Sequence, residues 1–228
     1  MPRLASRFQG IIRHEEAPEM QIAFLVYEGL TALDLIGPYE VLNALPGSDV
    51  RFVARTPGEL RVDSGAFGIV VDHSLADTPR PDVLVVPGGS AGTFAAARDP
   101  EITGWVRQAH EHTSFSTSVC TGSLILGAAG LLKGKRATTH WAAAPLLEHY
   151  GATYTAERVV AEGRVITAAG VSAGIDMALT LAARLAGDAT ARAIQLGIEY
   201  DPQPPFDAGS PSKAGPEIIE LAKQLLAP

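Results

Sequence analysis

Cys120 is the only cysteine in the chain, and the sequence pattern changes abruptly around it. Phe115 to Val119 is apolar and β-branched, the pattern of a strand, whereas Gly122 to Leu132 is a small-residue, strongly helical run. A strand, a sharp turn and a helix with a nucleophile at the corner make a nucleophile elbow. Such a turn lifts the thiol off the end of a sheet and points peptide N–H groups of the next helix at it. The partial positive charge there favours the thiolate. Cores also bury free cysteines, so on this stretch alone the elbow and a buried structural thiol stand side by side.

Other residues suited to chemistry fall at predicted strand ends. Asp34, inside Leu33-Asp34-Leu35-Ile36, reads first as a helix cap and second as a buried acid. If it faces the thiol, desolvation and a nearby thiolate both raise its pKa, and it can donate a proton. Pro87-Gly88-Gly89-Ser90 puts small residues where backbone N–H groups could approach an anion, although a tight turn explains the same residues. Thr121 opens the helix after the thiol, and Ala169-Gly170-Val171 follows another predicted strand. His140, in Thr138-Thr139-His140-Trp141, could pair with a thiol or simply pack beside the tryptophan. No histidine pairs at helical spacing beside an acid, so no metal site is expected. There is no GxGxxG and no phosphate loop with a lysine, so no nucleotide cofactor is expected.

Strands and helices must hold these residues. Gln21–Tyr27, Val50–Ala54, Asp82–Val86, Phe115–Val119 and Val165–Ala168 read as strands, several continuously apolar as in a parallel sheet. Leu60–Val71 predicts a β-arm around Ser64-Gly65, and Glu162-Gly163 predicts a hairpin turn. Helices are expected over Thr31–Leu45 with an interruption at Gly37-Pro38, and then over Asp99–His112, Ala142–Tyr150, Ser172–Ala186, Asp188–Tyr200 and Pro216–Leu226. Strands alternating with helices specify an α/β fold, a sandwich with a mainly parallel sheet. In such sheets ligands bind beyond the carboxyl ends of the strands, where the loops carrying Asp34, Gly88, Cys120 and Gly170 are predicted to meet.

The chain has 228 residues, 46% hydrophobic and 19% charged, a globular composition with net charge −7. It lacks the basic patch of a nucleic-acid binder and any apolar run long enough to cross a bilayer. A lone thiol fits a reducing, cytoplasmic compartment. Residues 1–19 lack the apolar middle of a secretory signal and read as a loosely ordered extension, with one domain over 20–228.

Leu33-Asp-Leu-Ile-Gly-Pro38, Val86-Pro-Gly-Gly89, Ser118-Val-Cys-Thr-Gly-Ser123, Thr138-Thr-His-Trp141 and Pro204-Pro-Phe-Asp-Ala-Gly-Ser-Pro211 together resemble the DJ-1/PfpI superfamily, nearest its isonitrile hydratase branch. The resemblance implies a flavodoxin-like sandwich, a homodimer, and a cofactor-free addition of water to an isonitrile, giving an N-substituted formamide. It implies Cys120 as nucleophile, Asp34 as acid/base and Thr121 as assistant. It also implies substrate or oxyanion contacts from Gly88, Gly89, Ser90, His140 and the Ala169–Val171 loop. Peptidase-like relatives carry histidine directly after the cysteine, where this chain has Thr121. Two alternatives from other classes remain open: a non-catalytic small-molecule sensor, and a redox or stress protein of the DJ-1 kind. Sensor relatives place a DNA-reading helix pair after the sandwich, and only one short helix is predicted after Pro211.

Overall fold

Continuous apolar runs in this chain become strands covered on both faces. The computed structural model describes residues 19–226. In β1 (Met20–Leu25), the stretch Ile22 to Leu25 is wholly buried. It pairs in parallel with β2 (Ser48–Ala54) on one side, Ile22 opposite Val50, and with β6 (Val83–Val86) on the other, Ile22 opposite Val83. β3 (Gly58–Arg61) and β4 (Gly68–Val71) form the expected antiparallel arm, and β5 (His73–Ser74) pairs with β2 at the sheet's edge. β7 (Phe115–Val119) lies between β6 and β11 (Val165–Ala168), and β10 (Val159–Glu162) closes the far edge. The seven-stranded order is β10-β11-β7-β6-β1-β2-β5, parallel except where β10 meets β11. A separate two-stranded pair joins β8 (Arg136–Ala137) and β9 (Thr153–Tyr154).

The helices flank the sheet in two packed groups. α1 (Ala32–Leu42), α5 (Ala173–Ala186) and α6 (Asp188–Gly197) form one. α2 (Ala91–Arg98), α3 (Pro100–His112) and α4 (Gly122–Ala128) form the other. This is the expected α/β sandwich with a mainly parallel sheet.

Several local expectations need correction. Gly37-Pro38 does not interrupt α1, which runs straight through. Pro38 removes one backbone donor, but Gly37 faces Ile175 and Pro38 faces Gly174, so packing against α5 holds the helix together. α2 was not anticipated: six of its eight residues are small, and it lies directly before the Asp99-Pro100 start of α3. α4 is shorter than expected, ending at Ala128. Trp141–Tyr150 winds as a 3₁₀ stretch with Pro145 inside, rather than as an α-helix. α7 (Pro211–Leu226) begins before Pro216, with a break at Gly215, whose φ is 75°. The N-terminal extension lies outside the described residues apart from Glu19.

Candidate active site

The corner predicted at Cys120 is present. β7 ends at Val119, α4 begins at Gly122, and Cys120 takes φ of 57°, a value that residues with a Cβ adopt at a cost. The surroundings hold it there. Its N–H donates to the Ala168 and Ala169 carbonyls, each at 3.1 Å. Its carbonyl accepts from Thr139 Oγ1 at 3.0 Å and Ser123 Oγ at 3.2 Å. A side chain at Gly122 would run into the Val86 carbonyl, so only glycine lets the turn close against β6. Two backbone N–H groups serve the thiol, from Thr121 and from Val171. Val171 also has positive φ, 30°, unusual for a β-branched residue.

Asp34 meets the thiol from α1. It is not the helix cap: Thr31 holds that position, and its hydroxyl donates to Asp63 Oδ2 at 2.6 Å. Asp34 sits one turn in, fully buried, the one Asp, Glu, Lys, Arg or His side chain that is buried among the described residues. Gly88 N–H donates to its Oδ2 at 3.0 Å. Oδ1 has no well-aligned partner among the described residues, and the donor beside the carboxyl is the Cys120 thiol. Gly88 makes this approach possible, since a Cβ there would lie 2.6 Å from Thr121 N and 2.8 Å from Asp34 Oδ2.

Electrostatics correct one expectation. Burial pushes Asp34 up to about 7; the Gly88 N–H and the thiol pull against it, and the Asp63 carboxylate adds to the rise. Burial and then the Asp34 charge push the Cys120 thiol up to about 12, against the Thr121 and Val171 N–H groups. The sulfur is therefore shifted towards the thiol form, against the direction expected from the helix end. Desolvation in a site this enclosed outweighs two N–H donors and a seven-residue helix. Asp34 instead titrates near neutrality.

Thr121 lies where expected, half-buried beside the thiol. Its hydroxyl donates to the Gly89 carbonyl at 2.7 Å and accepts the Gly89 N–H at 3.0 Å. The Gly88 and Gly89 N–H groups are thus taken by Asp34 and Thr121 and are not free oxyanion donors. They fix the acid and the hydroxyl instead. Ser90 is exposed at the start of α2 and does not join the cluster, because the chain turns outward after Gly89. His140 is half-buried against Gly170 and its Nδ1 accepts the Ala142 N–H at 3.3 Å. Burial lowers its pKa, and it makes no hydrogen bond to Cys120 or Asp34. In the Ala169–Val171 loop, Ala169 holds the elbow's backbone and Val171 reaches the sulfur.

Two participants went unnoticed in the sequence. Tyr27 and Thr93 are buried behind Thr121, with Thr93 Oγ1 3.0 Å from Thr121 Oγ1 and 2.9 Å from the Tyr27 hydroxyl. A tyrosine ending an apolar strand was the available signal, since a buried phenol needs a partner. Among the described residues no group of three or more His, Cys, Asp or Glu side chains could hold a metal ion, and no helix is long and apolar enough to cross a membrane.

Residues 20–184 match the sequence model of the DJ-1/PfpI family. The chain belongs to the DJ-1/PfpI family. Within this family it is 44% identical to the isonitrile hydratase of Pseudomonas putida over 209 residues, 92% of this chain and 91% of that one. A crystal structure of a ThiJ/PfpI family protein from Pseudomonas syringae superposes with a TM-score of 0.89 at 39% identity, covering 99% of this chain and 92% of that one. Drosophila melanogaster DJ-1beta shares the fold, with a TM-score of 0.73 at 23% identity over 79% of this chain and 98% of its own. The likeness to the Pseudomonas putida enzyme supports the isonitrile hydratase branch of the DJ-1/PfpI family.

Proposed function

We propose that this DJ-1/PfpI protein is an isonitrile hydratase, adding water to an isonitrile to give an N-substituted formamide. The observation that carries the reading is the buried Asp34 carboxyl, one oxygen unpartnered, set beside a thiol on a strained corner. The likeness to the Pseudomonas putida enzyme supplies the substrate class.

The terminal carbon of an isonitrile accepts a proton and then a nucleophile. As Cys120 Sγ bonds to that carbon, Asp34 takes the thiol proton and delivers it to the same carbon. The S–H has then been added across one carbon, leaving a neutral thioimidate on Cys120. Asp34, again a carboxylate, removes a proton from water as the oxygen bonds to the thioimidate carbon, and that proton passes to nitrogen. Thr121 steadies the incoming oxygen with its hydroxyl. The tetrahedral species collapses: the C–S bond breaks, C=O forms, and the remaining hydroxyl proton returns to sulfur by way of Asp34. Isonitrile plus water equals formamide, and no cofactor is needed for balance. A homodimer belongs to the proposal.

The test is direct. Purified protein mixed with cyclohexyl isocyanide should give N-cyclohexylformamide with repeated turnover. Binding without product would favour a sensor; inertness to the isonitrile together with ready peroxide oxidation of Cys120 would favour a redox role.

A further inference from the structure

The hydroxyls behind Thr121 have no task in the mechanism above. Thr93, in the first turn of α2, is wholly buried, and Tyr27 nearly so. The Tyr27 hydroxyl donates to the Pro87 carbonyl at 2.8 Å and lies 2.9 Å from Thr93 Oγ1. Thr93 Oγ1 can donate to the Gly89 carbonyl at 2.9 Å, the same oxygen that Thr121 Oγ1 reaches at 2.7 Å. The two threonine hydroxyls are 3.0 Å apart.

Each hydroxyl has one proton and two lone pairs, so the proton arrangements can be counted. In one, Thr121 gives its proton to the Gly89 carbonyl, Thr93 gives its own to the Tyr27 oxygen, and Tyr27 gives its own to Pro87. In another, Thr93 alone serves Gly89, and the Thr121 proton is released. The Gly89 N–H still holds Thr121 Oγ1 at 3.0 Å, so the oxygen stays in place while its proton turns. No buried carbonyl loses its donor in the exchange, which removes the usual penalty for breaking a buried hydrogen bond. Burial pushes the Tyr27 phenol far above its usual range, so it keeps its proton throughout.

We infer that Thr93 is a positioning residue: it takes over the Gly89 carbonyl when Thr121 turns its proton to the entering oxygen, and Tyr27 holds Thr93 in place for that exchange. This rests on the hydratase reading above. Without the Thr93 hydroxyl, turning the Thr121 proton leaves the Gly89 carbonyl unpaired in the step that needs it.

The experiment compares wild type, Thr93→Val, Thr93→Ser and Tyr27→Phe in steady-state hydration of cyclohexyl isocyanide, with the alkylation rate of Cys120 by iodoacetamide as a second readout. Thr93→Val should lower kcat roughly 10- to 50-fold, the effect of one orphaned buried acceptor, with KM within about twofold. Thr93→Ser should restore kcat to within about threefold of wild type, and Tyr27→Phe should lower it by roughly 3- to 10-fold. Alkylation should be unchanged in all of them, since it needs no Thr121 proton. If Thr93→Val fails to fold, Thr93→Ser and Tyr27→Phe decide the matter. A kcat for Thr93→Val or Tyr27→Phe equal to wild type would overturn the inference while leaving the hydratase reading intact. So would a Thr93→Ser enzyme as slow as Thr93→Val, or alkylation slowing in step with kcat. A wild-type enzyme that makes no formamide would overturn both.

Discussion

A hollow and a buried cluster lie near the carboxyl ends of the strands, and they are built on opposite principles. The hollow, of about 290 Å³, lies beyond β1 and β2, walled by Val26, Ala54, Leu60, Ala96 and Ile102. Its one cation, Arg55, is exposed and meets the half-buried Asp99 at 2.9 Å and the exposed Glu101 at 3.7 Å. Burial would raise Asp99, but the Glu101 and Ile102 N–H groups and the Arg55 guanidinium outweigh it and hold the carboxyl below its usual range. The other centres on Asp34 and Cys120, where both ionisable groups are buried, both are pushed up, and one carboxyl oxygen lacks a well-aligned partner. Strained backbone is found there too, at Cys120 and Val171. Chemistry belongs where polar groups are buried and left under-compensated, because only there does a substrate complete the electrostatics.

Substitutions can break or sharpen this contrast. Cys120→Ala should have the largest effect, removing the bond-forming atom and lowering kcat/KM by roughly a thousandfold or more, measured as formamide release. Asp34→Asn keeps an acceptor for the Gly88 N–H but cannot shuttle protons; a loss of roughly 10²- to 10⁴-fold is expected. The same variant reads out burial. The folded protein holds the Asp34 proton up to about pH 7, whereas the unfolded chain releases it near the ordinary carboxyl value of 3.8. Folding stability tied to this group is therefore complete below about pH 4 and lost as pH rises through 7. Asp34→Asn should thus melt above wild type at pH 8, by up to roughly 4 kcal/mol, with the difference closing towards pH 4. Arg55→Ala, in the hollow, should move stability by less than about 1 kcal/mol and activity by less than about twofold, since the exposed Arg55 guanidinium makes its pairs at the surface. A large loss of activity in Arg55→Ala would erase the distinction between the two regions.

Much of this was legible in the residues. The change of period at Cys120 marks the elbow because strand and helix patterns differ sharply in spacing, and the alternation of elements specifies the sandwich. Asp34 was ambiguous: an acid near a helix start looks the same whether it caps the helix or turns inward, and only its contacts with the Gly88 N–H and the Cys120 thiol show that it turns inward. The thiol's protonation was read the wrong way round, since a helix end is visible in a sequence but the depth of burial that outweighs it is not. Gly88 and Gly89 were read as offering N–H groups to a bound anion, whereas those groups go to Asp34 and Thr121. α2 and Thr93 escaped notice because a short run of small residues carries no periodic signal, and Thr93 gains its meaning only from Tyr27, 66 positions earlier in the chain.

The central claim is that the Cys120 sulfur bonds to the isonitrile carbon. Rapid acid quench during turnover, followed by intact-protein and peptide mass spectrometry, tests it directly. The expected result is a transient species heavier by the full mass of the isonitrile, located on the peptide containing Cys120 and absent from Cys120→Ala. Formamide accumulating with no adduct on Cys120, or formed at the wild-type rate by Cys120→Ala, would contradict it.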